Sequence, residues 1–571
     1  MTALVTKHLP LLAGAPDGIK KLRALILDLA IRGKLVSQDP ADTPASELFA
    51  AARDALSKNQ KRKSSTAAGN ASVDVASLPS LPSGWLWTRL VDVALINPRN
   101  SADDTLTVSF VPMAMIGAKF DSGHEHELRP WGEVKQGFTH FAEGDIGVAK
   151  ITPCFENSKA CVFTALSNGI GAGTTELHVV RPVADTLVPR YVLAYLKSPW
   201  FLSIGETKMT GTAGQKRLPK DFVENHPFPL PPLAEQHRIV VKVDELMTLC
   251  DRLEADQADA EAAHAQLVQA LLDSITQATD AADFRAGWQR LSEHFHTLFT
   301  TEASIDALKQ TVLQLTVMGK LVPQDGSDEC VSAFLERIDQ ARTKQQADKA
   351  SRSRARLGDR DEMAEPPYEA PIGWMWRNLG SVLNITGGVT LGRKLAGRKL
   401  VSMPYLRVAN VQRSYLVLDQ IKQVEVPEDE VEKYKLLPND LLITEGGDWD
   451  KVGRTAIWRN EIADCLHQNH VFRARALTDE FNPRWAELYL NSMPARNYFA
   501  GSSKQTTNLA SINMTQLRAC AFPVPPLPEQ QRIVAKVDEL MALCDQLKAG
   551  LAESRQLHGQ LATALVEQAV A

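Results

Sequence analysis

The chain has 571 residues, 44% of them hydrophobic, which is enough for several cores and, at the usual domain size, predicts roughly three or four units. A formal net charge of −5 creates no global field that attracts nucleic acid, so any such role must rest on local basic patches. Seven cysteines without a CxxC pair argue against a disulfide framework, and neither an amino-terminal signal nor an apolar run of about 18 residues is present, so a membrane span is not expected and the expected home is the cytoplasm.

In chain order, the first element is a helix in Ile19 to Asp39 (IKKLRALILDLAIRGKLVSQD). A polar linker, Lys58 to Ser80, leads to Pro82-Ser83-Gly84-Trp85-Leu86-Trp87, where Trp85 beside Leu90 reads as a core anchor. Mixed strands and short helices follow. Gly144-Asp145-Ile146-Gly147-Val148 is a turn entering a strand, Glu176 to Arg181 is a strand, and Tyr195 to Ser198 lies on a helix. The glycine-rich Gly169 to Thr174 reads as a flexible loop.

From Pro231 (PPLAEQHRIV) a long helix runs, from about Ala234 to Ile275 and roughly 60 Å in length at the usual rise per residue. Its apolar stripe has period seven, at Ile239, Leu246, Leu253, Ala260 and Leu267, with Val243, Cys250 and Leu271 in the second seam.

Apart from the glycine-rich run, these blocks then return. Ile305 to Asp325 repeats the first helix, Thr343 to Pro371 the linker, Trp374 and Leu379 the anchor, and Asn439 to Ile443 the turn and strand. Gln468 to Arg473 is matched to Glu176 to Arg181, and Tyr489 to Ser492 to Tyr195 to Ser198. Pro525 (PPLPEQQRIV) opens a second long helix with Ile533, Leu540, Leu547 and Leu561 in one seam and Val537, Cys544, Leu551 and Leu565 in the other. A repeat this long is two copies of a domain-plus-helix, not a solenoid. The second long helix has no helical block after it, so the organisation is circular: the amino-terminal block is expected beside the carboxy-terminal helix, with the chain ends close together.

The expected fold is therefore α+β, with two mixed α/β domains separated by long antiparallel coiled-coil helices in pseudo-two-fold arrangement. The boundaries are an amino-terminal helical region and linker at 1–80, a first variable domain at 81–233, a central region with the first long helix at 234–370, a second variable domain at 371–527, and the closing long helix at 528–571.

Catalytic patterns are weak. Gly387 to Lys394 (GGVTLGRK) has the glycine spacing of a phosphate loop but Arg393 where lysine belongs, and Glu365-Pro366-Pro367-Tyr368 puts a carboxylate where an adenine methyltransferase needs an amide donor. Asp121 with Glu133-Val134-Lys135 reads as surface charge, and Cys465, His467 and His470 read as ordinary strand residues. No catalytic or metal residue is assigned.

The repeated PLPPLxEQxRIVxKVDEL blocks, the Gly-Trp-x-Trp openings and the GKLVxQD blocks resemble the DNA specificity subunit of type I restriction-modification systems, in the subgroup with an extra amino-terminal conserved region. The resemblance implies a non-catalytic subunit whose two target recognition domains each read one half of a bipartite, asymmetric site in double-stranded DNA. It also implies docking of two methyltransferase subunits and of restriction (translocase) subunits on the helices, with S-adenosylmethionine, ATP and Mg on those partners and no cofactor here. The alternative from another class is a coiled-coil protein-binding scaffold without DNA recognition.

Direct readout uses Arg or Lys against guanine and Asn or Gln against adenine, while hydroxyls and lysines position phosphates. Polar loop clusters nominate Lys150, Asn157, Lys159, Thr174, Thr175, Gln215, Lys216 and Arg217 in the first domain. In the second they nominate Lys451, Arg454, Gln468, Asn469, Lys504, Gln505 and Asn508, with Arg393 and Lys394 as backbone contacts.

Overall fold

The computed structural model describes residues 11–60, 78–183, 185–212, 214–350, 362–393, 395–447, 451–502, 504–506 and 509–570. The chain forms two compact units, 1–262 with 552–571 and 263–551. Each takes the start of one long helix and the end of the other.

In the first unit, the amino-terminal helix Gly18–Ile31 ends because Gly33 adopts φ +64, which lets the Lys34 amide reach back to the Leu29 carbonyl at 2.9 Å. A side chain there is excluded twice, by that backbone and because a Cβ would stand 2.4 Å from Pro82 and 2.9 Å from Trp85. The second unit repeats the device at Gly319, φ +65, with Pro371 and Trp374 as the neighbours at 2.8 and 3.2 Å. The glycine of GKLV is thus the socket for the first tryptophan of Gly-Trp-x-Trp.

Both tryptophans are buried, as the sequence predicts, and each indole donates to a buried glutamate in the first turn of a long helix: Trp85 to Glu235 at 2.9 Å, Trp374 to Glu529 at 3.0 Å. Burial pushes both carboxyls up and the indole bonds pull them back. The Glu-Gln dipeptide is completed by Gln236 and Gln530, whose amides donate to the Pro231 and Pro525 carbonyls.

Among the described residues the first variable domain has ten strands: β1 (Leu86–Arg89), β2 (Ala94–Ile96), β3 (Thr107–Val111), β4 (Glu127–Pro130), β5 (Thr139–Ala142), β6 (Ile146–Ala149), β7 (Ala160–Val162), β8 (Ile170–Gly173), β9 (Leu177–Pro182) and β10 (Pro227–Leu230). They form the sheets β2-β9-β6-β7 and β4-β3-β8-β5 and the pair β1-β10. Gly169 to Thr174 is therefore not a loop, as its glycines suggest: Gly171 and Gly173 lie inside β8, where a Cβ would stand 2.3 Å from Phe141 and 2.4 Å from the Val111 carbonyl. Close approach, not flexibility, explains them.

The second domain carries β11 (Met375–Asn378), β12 (Leu383–Thr386), β13 (Leu400–Leu406), β14 (Lys422–Pro427), β15 (Leu441–Thr444), β16 (Gly446–Gly447), β17 (Thr455–Ile457), β18 (Leu466–His467), β19 (Val471–Ala476), β20 (Lys504–Thr506), β21 (Leu509–Ser511) and β22 (Ala521–Val524). Its sheets β12-β19-β15-β17 and β14-β13-β18 and its pair β11-β22 repeat the first domain's β2-β9-β6-β7, β4-β3-β8 and β1-β10, and β16-β21-β20 stands where the first domain has bridges of Arg217 to Ile151 and Thr210.

The long helices span Leu233–Thr276 and Leu527–Val570. In the first unit Ile239, Val243, Met247 and Cys250 share a core with Ala562 and Ala569, and Lys21 donates to the Gly559 carbonyl at 3.2 Å and the Thr563 hydroxyl at 3.0 Å. The amino-terminal block does lie beside the carboxy-terminal helix, and Leu12 and Ala569 belong to one core. In the second unit Val268, Leu272 and Ile275 share a core with Ile305, Leu308, Val312 and Cys544.

The seven-residue stripe fails in its middle. Ala260 is exposed, Leu267 is 54% and Leu561 46% exposed, while Met247, Val268, Leu272 and Ala562 are buried instead. The stripe is interrupted where each helix passes from one unit to the other, and it resumes in a different phase because each part faces its own core. Cys250 and Cys544 are buried as equivalent small apolar residues.

Buried histidines make stability depend on pH in both units, His226 in the first and His467 in the second being shifted far enough to carry a value. Burial pushes His226 and His467 down to about 4, so both are neutral in the fold at pH 7, with Nδ1 of His226 at 2.6 Å from the Tyr195 hydroxyl and Nδ1 of His467 at 2.7 Å from the Val471 carbonyl. Below the unfolded value of about 6.5 the unfolded chain takes up protons that the fold refuses, so stability falls as the pH drops from there towards 4, by roughly 3 kcal/mol per histidine over the whole window. Urea unfolding at pH 7.5 and 5 is expected to show lower midpoints at pH 5, with His467→Asn flattening the dependence of the second unit only; equal midpoints would refute the assignment.

Candidate nucleic-acid interface

At one end of β6 and β9 the first domain gathers three segments. The Lys150 amide donates to the Glu176 carbonyl at 3.0 Å, and the Leu218 amide donates to the Lys150 carbonyl at 2.7 Å. The Thr152 amide reaches the Lys216 carbonyl at 3.0 Å, and the Lys216 amide returns to the Thr152 hydroxyl at 3.1 Å. Arg217 also bridges Ile151 and Thr210 through its backbone. Lys150, Thr174, Lys216 and Arg217 are thereby brought together although they are scattered along the sequence.

Their side chains are not equally available. Thr175, Gln215, Lys216 and Asn157 are exposed, whereas Lys159 donates to the Met113 carbonyl at 3.1 Å and the Thr174 hydroxyl accepts from the Glu176 amide at 3.1 Å. Arg217 clamps Glu176 with two bonds of 2.9 Å, and these hold the Glu176 carboxyl below its ordinary range. The loop at 151–159 is fastened from behind by Lys197, 5% exposed, whose ammonium donates to the carbonyls of Ala118, Lys119 and Ser158 at 2.8, 3.1 and 2.9 Å. Burial brings that lysine down to about 8.

The second domain builds the same mouth. The Glu445 amide donates to the His470 carbonyl at 3.0 Å, the Ile512 amide to the Glu445 carbonyl at 2.9 Å, and Ser511 pairs with both Gly446 and Lys504. Asn491, at the position of Lys197, fastens the loop by accepting from the Thr455 amide at 3.2 Å and donating to the Thr455 carbonyl at 2.8 Å and the Ser414 hydroxyl at 3.1 Å.

Strand register corrects the sequence matching. Arg181 pairs with Asp145 and Arg475 with Asp440, each at 2.7 Å, while β6 sets Ile146 against Val180 and β15 sets Leu441 against Ala474. Glu176 therefore corresponds to His470, not to Gln468, and Arg181 to Arg475, not to Arg473. The two-residue error arose because arginine recurs at 473 and 475, and only the ion pair with the turn aspartate distinguishes them.

Of the second-domain candidates, Gln468 and Asn469 have their amides bound to the Leu406 and Val389 carbonyls at 2.8 and 2.9 Å, which places them between β18 and β19. Lys451 lies on the loop after β16, where its carbonyl accepts from the Thr444 hydroxyl at 2.8 Å, and Arg454 reaches Gln412. Lys504 and Gln505 are on β20, Arg393 is paired with Glu430 at 2.9 Å, and Lys394 and Asn508 fall outside the described residues. Sequence reasoning missed the acidic members Glu176 and Glu445, and His470, the partner of Glu445. Aligning the copies through the aspartate–arginine pair would have found them.

The other motifs are absorbed by the fold. Gly388 lies against the His467 carbonyl, 2.0 Å from where a Cβ would be, and the Tyr368 hydroxyl donates to the Val317 carbonyl at 2.6 Å. Asp121 pairs with Arg190 and Lys135 with Asp104, so these charges do not converge. Cys465 and His467 are buried while His470 is exposed and bound to Glu445.

Residues 82–262 and 371–554 match the family described as the type I restriction modification DNA specificity domain. Over 569 residues the chain is 43% identical to the type I restriction enzyme EcoAI specificity subunit of Escherichia coli, covering 97% of this chain and 94% of that one. It is 40% identical over 568 residues to the EcoEI specificity subunit of the same species, with the same coverage. A chain solved in work on complex assembly and conformational transition of the type I R-M system has the same fold, with a TM-score of 0.50 at 20% identity over 86% of this chain and 99% of that one.

Proposed function

Because this chain belongs to the type I restriction-modification DNA specificity family, we propose that each of its two mouths reads one half of a bipartite, asymmetric site in double-stranded DNA. The chain itself is the non-catalytic, sequence-reading subunit. The observation that carries the reading is that two mouths, equivalent in strand register and backbone bonding, present different side chains: Lys150, Glu176 and Arg217 in one, Glu445, His470 and Ser511 in the other. One scaffold with two lining sets suits two different half-sites.

In this reading Lys150, Asn157, Lys159, Thr174, Thr175, Gln215, Lys216 and Arg217 serve the first half-site. Arg393, Lys394, Lys451, Arg454, Gln468, Asn469, Lys504, Gln505 and Asn508 serve the second. Two methyltransferase subunits dock on the helical regions and bring S-adenosylmethionine; restriction subunits bring ATP and Mg. Two weak half-site contacts joined in one chain act as a bivalent ligand, so each raises the effective concentration for the other.

The test is to co-express the chain with its methyltransferase partner, purify the complex and map adenine methylation across a genome. A bipartite methylated motif is expected, each half of which is lost when the corresponding domain is replaced by that of a relative. A stable, cofactor-binding complex that modifies no motif would favour a protein-binding scaffold instead.

A further inference from the structure

The two mouths are charge-reversed at matched positions. Lys150 and Glu445 occupy the same place, each donating its amide at 3.0 Å to the residue across the strand pair, Glu176 in one domain and His470 in the other. In the first domain the carboxylate is neutralised by Arg217 through two bonds of 2.9 Å. In the second, Ser511 stands where Arg217 does, and the carboxylate is met by the imidazole Nδ1 of His470.

A carboxylate facing DNA is repelled by every phosphate near it; Arg217 offsets this for Glu176, and for Glu445 a hydrogen-bond donor on the nucleic acid would do so. In the major groove the bases offer two such donors, the exocyclic amino groups of cytosine (N4) and adenine (N6). The His470 ring is 58% exposed and the Glu445 side chain 27%, so the imidazole can orient the carboxylate while leaving it open to a base. The backbone beneath is locked on both sides, by the bond to His470 and by the Ile512 amide at 2.9 Å.

We infer that Glu445, oriented by His470, is a specificity-determining contact of the second recognition domain and accepts a hydrogen bond from an exocyclic amino group on a base of the second half-site. This rests on the DNA-reading function proposed above. The first domain, with Lys150 at the matched place, reads an acceptor edge or a phosphate there instead.

The test uses the complex of the full chain with its methyltransferase partner and duplexes of its mapped motif in which each amino-bearing base is replaced, one at a time, by a base lacking that amino group: purine for adenine, 2-pyrimidinone for cytosine. For the wild-type complex one replacement in the second half-site is expected to weaken binding about ten-fold or more, and Glu445→Ala is expected to abolish the sensitivity at that position alone. Glu445→Gln, which keeps an acceptor, retains part of it. Unchanged discrimination in the first half-site shows that the variant is folded. Glu445→Ala with full wild-type discrimination at every position of the second half-site would overturn the inference, while a wild-type complex with no sequence selectivity would overturn the DNA-reading function and this inference with it.

Discussion

Asp440→Ala is expected to destabilise the second unit by about 3 kcal/mol, near the lower end for removing one partner of a buried ion pair. Asp440 is 1% exposed and accepts three bonds of 2.7 Å, two from the Arg475 guanidinium and one from the Leu437 amide. Alanine leaves the arginine and the amide without their acceptor. Arg475 keeps 30% of its side chain in water, which limits the loss. Asp440→Asn keeps the volume and one acceptor oxygen, so its expected cost is about 1.5 kcal/mol. Because Asp440 precedes β15, which leads into Glu445, the loss also loosens the second mouth. Denaturant unfolding of the full chain should show a lower midpoint for the second unit alone, and Asp145→Ala should do the same to the first; an unshifted midpoint for Asp440→Ala would refute the role.

How much of this could be read from the sequence depends on the range of the contact. The helical blocks, the tryptophan anchors, the turn before β6 and β15 and the Tyr195 and Tyr489 helices were legible, because each is a local pattern repeated in two copies. Tyr195 and Tyr489 even bond equivalent carbonyls, Pro227 and Ala521, at 2.9 and 2.7 Å. The glycines of β8 misled, because a run that permits flexibility is also what close packing against Phe141 demands. The long-helix stripe misled in its middle, because a heptad pattern assumes one continuous partner and each helix has two in succession.

The candidate site was legible as a set of loops and illegible as a set of side chains. Polar residues at 150, 174 and 215–217 stand out in the sequence as separate loop clusters, and only the folded chain shows that these loops meet. Which of them are engaged within the protein follows from pairs distant in sequence, such as Arg217 with Glu176 and Arg454 with Gln412, that no periodicity marks. The acidic residues were passed over because basic and amide side chains are the usual readers of DNA. Only the registered strands show that Glu445 stands in the place of Lys150.

Trp374→Ala is expected to destabilise the second unit by about 5 kcal/mol, because it combines the loss of a large core aromatic with a buried carboxylate deprived of its donor. Trp374 is 5% exposed, meets Trp485 edge-on at 5.3 Å between ring centroids, and donates to Glu529, itself 1% exposed. Trp374→Phe refills most of the cavity and loses the indole bond, so about 2 kcal/mol is expected. The two variants thus separate packing from hydrogen bonding. Their pH dependence has a definite sign. Burial already raises the Glu529 carboxyl and the indole bond opposes that rise, so removing the bond raises it further. A carboxyl raised in the fold is penalised while ionised, and the penalty is relieved as the pH falls towards its folded value; the deficit of Trp374→Phe relative to wild type should therefore be largest at neutral pH and shrink on mild acidification. Urea titrations of both proteins at pH 7.5 and 5.5 measure it, and Glu529→Gln should remove the pH term while keeping an acceptor for the indole. A deficit independent of pH would mean that the indole acts by packing alone. The junction between recognition domain and long helix would then be held by shape, and the glutamate that begins both helices would need another explanation.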